Sequence, residues 1–150
     1  MSSQLINITV SLVSHLLILV YYLVNLLLMY QGGGLVPSRV FTLWAIVIVA
    51  IIVLNILGNI LTYIVLTIVH VIKTGKEVEE RFIVDERDRL IELKGVRVSY
   101  ISYSIGVLIA MLTFVIGQPP LVMFSLLILS GILAEITGDI AQFYLYRRGV

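Results

Sequence analysis

The chain has no cysteine and only three prolines, and only 13% of its 150 residues carry charge. Each shortage excludes something. Without cysteine there is no disulfide framework, no thiolate metal site and no thiol nucleophile. Prolines stand only at positions 37, 119 and 120, so long helices can run between them without a break. A soluble domain carries about 25% charged residues. Here 60% of residues are apolar and the mean hydropathy is +1.11. A soluble fold of this length cannot hide that much apolar surface, so the bilayer is the solvent for most of it. The N-terminal MSSQLINITVSLVSHLL lacks a basic n-region, and its apolar run continues to Tyr30. It reads as a first span and not as a signal peptide.

The apolar runs predict one all-α domain over 1–150, a transmembrane four-helix bundle. The first span covers Leu5–Tyr30, and Gln31, three glycines and Pro37 break it. The second runs from Arg39 to Ile72, longer than a core of about 30 Å requires. Its last turns should therefore tilt or project into water. A polar segment, Lys73 to Lys94, follows. The third span runs from Val96 to Gly117 and the fourth from Pro120 to Tyr146. The helix ends between spans two and three are expected to extend into the cytoplasm. One helix from about Phe82 to Gly117 should tolerate Gly95 inside it. Nine of the ten basic residues fall on one side and only Arg39 on the other. The positive-inside rule then places both termini and the polar segment in the cytoplasm of a plasma-membrane protein.

Each span carries one polar or small face at helical spacing. The first has Asn7, Ser11, His15, Tyr22 and Asn25; the second has Asn55, Gly58, Asn59 and His70. The third has Ser99, Ser102 and Gly106; the fourth has Gly131, Glu135, Gly138, Asp139 and Gln142. Lipid takes the Leu, Ile and Val faces, so the polar stripes should meet inside. For Asn55, Asn59 and His15 packing by interhelical hydrogen bonds is the expected role. His15 reads as a hydrogen-bonded neutral imidazole in mid-membrane.

The carboxylates are a separate matter. An ionised acid in the bilayer costs roughly 2.5–3.5 kcal/mol on insertion scales, so Glu135 and Asp139 need compensation. The polar segment places Arg81, Asp85, Asp88, Glu92 and Gly95 on one helical face, continuous with Ser99 and Gly106. Asp85, Asp88 and Glu92 are therefore expected to gather with Glu135, Asp139 and His70 at the cytoplasmic mouth, near Arg147 and Arg148. Two readings stay open. Either the arginines clasp the acids and join the helix ends, or the acids hold a cation or a proton. The charge run also admits a plain solvated face.

No metalloprotease, hydrolase or phosphate-loop motif occurs, and no metal, cofactor or nucleic acid is expected, since the bases interleave with acids. Two functions compete. One is a non-catalytic accessory or regulatory subunit, or a scaffold that associates with itself or with other membrane subunits. The other is a small proton- or cation-coupled transporter or channel using the intramembrane carboxylates.

Asp85-Glu86-Arg87-Asp88, then Leu90-Ile91, Lys94 and Arg97 ahead of a span, with Tyr146-Arg147-Arg148-Gly149 at the end, form a pattern. It resembles a family of small prokaryotic membrane proteins defined only as a domain of unknown function. That family has four predicted spans, a D-E-R-D/E-x-L-I motif before the third and often a Y-x-R-R-G end. The match covers the second half of the chain, and the first half only in span count. The resemblance implies a fold and a family, and no activity.

Overall fold

A computed structural model describes residues 3–74 and 86–148. Within them four helices run in order: α1 Ser3–Gln31, α2 Pro37–Thr74, α3 Glu86–Val115 and α4 Pro120–Arg148. All four are long and apolar enough to cross a membrane. The protein is an all-α, four-helix, multi-pass membrane protein. Asp85 and the stretch back to Phe82 lie outside the described residues, as do the side chains of Asn59 and His70. From Glu86 onward the third helix is continuous and Gly95 sits inside it. At about 1.5 Å per residue α2 is about 57 Å long, well beyond a bilayer core.

The two tight turns have one cause. After α1 the N–H of Gly34 bonds the Met29 carbonyl at 3.2 Å, and after α3 the N–H of Gln118 bonds the Thr113 carbonyl at 3.0 Å. Both are Schellman closures, which need a residue at positive φ just past the helix. Gly33 (φ 110°) and Gly117 (φ 88°) supply it. Pro37 and Pro120 then open the next helices, where a missing N–H costs little.

α4 is the hub. Along one side it takes α3 through small residues: a Cβ on Gly138 would overlap the Ser99 hydroxyl, and one on Gly106 would overlap Ser130. Gln142 lies directly over Gly95. Such close backbone approach is how helices associate where lipid removes the hydrophobic drive between them. On its other side α4 meets α1 and α2 in a core of Ile18, Tyr22, Leu43, Val47, Ile132 and Ile136. The Tyr22 hydroxyl donates to the Ser125 carbonyl at 2.7 Å, and Phe41 meets Phe124 edge to face. Among the described residues the α3 backbone packs on α4 and stands apart from those of α1 and α2. The rest of the surface is exposed Leu, Ile and Val, which suits lipid.

Candidate functional site

α1 begins, α3 begins and α4 ends at the same end of the bundle, and there the polar stripes meet. Ser11 and His15 lie one turn apart on α1. His15 stands about 24 Å in from the Gln31 end, and Asp139 about 28 Å in from Pro120, so they share a depth. His15 Nδ1 and Asp139 Oδ2 are 2.8 Å apart. The Ser11 hydroxyl donates to both carboxylate oxygens, at 3.2 and 3.0 Å. His15 is 2% exposed and Asp139 8%. An ionised carboxylate only accepts, so Nδ1 carries the proton of this bond. The pair then has a net charge of zero with imidazolium or −1 with imidazole.

The Asp139 carboxylate also lines a cavity of about 290 Å³ to which all four helices contribute. Asp88 and Glu92 reach it from α3, Gln142 and Tyr146 from α4, Asn7 and Ser11 from α1, and Asn55 from α2. Three of its lining residues are acids, and no basic side chain lines it among the described residues. The Tyr146 hydroxyl donates to Asp88 Oδ1 at 2.8 Å. The cavity therefore favours positive charge. No group of three or more His, Cys, Asp or Glu positioned to hold a metal ion occurs among the described residues. Nor is this a nucleophile relay. The nitrogen nearest Ser11, His15 Nδ1 at 3.4 Å, already faces Asp139, so the hydroxyl has no imidazole base.

Part of the expected cluster forms. Asp88, Glu92 and Asp139 line one cavity, with Asn55 beside them. Glu135 is not among them. It is exposed on α4 and neither lines the cavity nor pairs with Asp139. The carboxylate one turn away from Asp139 is thus replaced, as its companion, by an imidazole on another helix. Arg147 and Arg148 are exposed too. Arg148 lies over the Tyr144 ring at 4.6 Å, and neither arginine pairs with a described carboxylate. Asp88 takes a tyrosine where an arginine was expected, because Tyr146 ends on the α3-facing side of α4 and the arginines after it turn outward. His15 is hydrogen-bonded, as expected, and its partner is Asp139 on another helix. Equal depth on α1 and α4 was the signal that could have found it; helical spacing alone points Asp139 to its own neighbour.

No family profile matches the chain, and neither the curated proteins nor the solved structures searched yielded a match.

Proposed function

We propose that this chain is a small proton- or cation-coupled transport protein of the plasma membrane, with both termini cytoplasmic. The observation that carries the reading is the buried Ser11–His15–Asp139 group beside an acid-lined cavity inside a membrane span. Intramembrane ionisable groups facing a polar cavity mark ion and proton pathways. Asp139 and His15 exchange one proton between neutral and singly negative forms, and Asp88 and Glu92 concentrate cations ahead of them. The test uses the full chain in proteoliposomes with an entrapped pH dye and an imposed potential. Wild type should carry proton or monovalent-cation flux, and Asp139→Asn should lower it at least about tenfold, the scale of losing a group that makes charge-assisted bonds, with helicity and elution unchanged. Wild-type flux in the folded Asp139→Asn protein would refute the reading.

A second reading rests on a different residue. Glu135 is exposed about 22 Å along α4, where facing lipid costs roughly 2.5–3.5 kcal/mol. That supports an accessory subunit or self-associating scaffold in which another membrane helix covers Glu135. Co-purification from native membranes in mild detergent, lost on Glu135→Leu, supports assembly; an unchanged monomer in both proteins removes it.

A further inference from the structure

The opposite end of the bundle holds a second recess of about 250 Å³ between α1 and α2. Tyr21 and Asn25 line it from α1, and Ser38, Arg39, Thr42 and Ile46 from α2. We propose that this groove binds the phosphate headgroup of a membrane phospholipid, with Arg39 as its cation.

Charge comes first. The chain has no Asp or Glu before Glu77, and the only acids in α4, Glu135 and Asp139, lie about 22 Å or more from Pro120. Arg39 therefore has no counter-ion at its own end, and it forms no ion pair among the described residues. Its guanidinium is exposed and always charged. The anion at that depth in a bilayer is the lipid phosphate, which matches the guanidinium fork with two parallel bonds.

Depth and shape agree. Arg39 stands about 3 Å along α2 and Asn25 about 9 Å from the end of α1, within the headgroup layer and its border with the core. Ile46 lies about 13 Å along α2, where an acyl chain would run. Asn25 Nδ2 donates to the Tyr21 carbonyl and Thr42 Oγ1 to the Ser38 carbonyl, each at 2.8 Å. These two groups are held back on their own helices. The Arg39 fork and the Ser38 hydroxyl remain as donors at the mouth of the groove.

The experiment is native mass spectrometry of the full chain in detergent, titrated with phosphatidylglycerol. Arg39→Gln should weaken binding at least about fivefold, as loss of a charge-assisted pair requires. Ile46→Trp fills the groove but keeps the guanidinium, and should weaken binding similarly. Arg147→Gln, at the other end, should stay within about twofold, the effect of one exposed charge. Diacylglycerol, without phosphate, should not bind. Equal weakening by Arg39→Gln and Arg147→Gln would mean unspecific charge attraction and overturns the proposal. So does unchanged binding in Arg39→Gln or Ile46→Trp, or full displacement by millimolar inorganic phosphate, which marks a free-phosphate site. Where Arg39→Gln loses its helicity, Ile46→Trp decides alone.

Discussion

Removing His15 should destabilise the bundle, and removing Asp139 as well should restore much of the loss. His15→Leu leaves the buried Asp139 with Ser11 as its one remaining side-chain hydrogen bond among the described residues. Breaking a buried ion pair from one side costs about 3–5 kcal/mol, because the surviving charge stays desolvated. Asp139→Ala in wild type leaves the buried His15 imidazole without its carboxylate partner. Its cost is that of an unsatisfied buried donor, about 1–3 kcal/mol. In the double variant neither charge is present. Exchanging a buried pair for apolar groups is often neutral or stabilising, so the double variant should be about 2 kcal/mol more stable than His15→Leu alone. The assay is unfolding in mixed micelles of rising sodium dodecyl sulfate, followed by helical circular dichroism for all four members of the cycle. Additive single costs would refute the argument, since distant independent sites add and contacting charges do not. A cost under about 1 kcal/mol for His15→Leu would do so too, placing the pair among solvated ones.

Two more expectations concern the frame around the site. Gly138→Leu should separate α3 from α4, because its side chain enters the space of Ser99; a loss of about 1–3 kcal/mol is the usual cost of overpacking. Gly131→Ala on the same helix, whose Cβ meets nothing nearer than the Tyr103 ring at 3.9 Å, should change the same unfolding midpoint little. For orientation, a cysteine at Gln31 should react with an impermeant thiol reagent in whole cells and one at Gly149 should not, following the basic-residue bias. The reverse pattern would invert the bundle.

Composition and period alone determined that this is a four-span helical membrane protein. Runs such as Val40–Leu54 leave lipid as the only solvent, and the Gly-Gly and Gln-Pro-Pro breaks leave room only for tight turns. The small faces of α3 and α4 were legible for the same reason: Gly95, Ser99 and Gly106 recur at helical spacing, as do Gly131 and Gly138. Partner choice was not legible. Spacing along one helix shows that Asp139 shares a face with Glu135, but a helix face is about as wide as the gap between two neighbours. A rotation of 40° separates a carboxylate against α1 from one left exposed, since residues four apart differ by about that angle. Only the packing of α4, with Gly138 locked against Ser99 and Ile132 and Ile136 against Ile18 and Tyr22, fixes that rotation. It turns Asp139 onto His15, brings Tyr146 to Asp88, and leaves Glu135, Arg147 and Arg148 outside. Chain order cannot supply this, because the pair is joined across 124 residues by depth and rotation, and both are set by tertiary contacts.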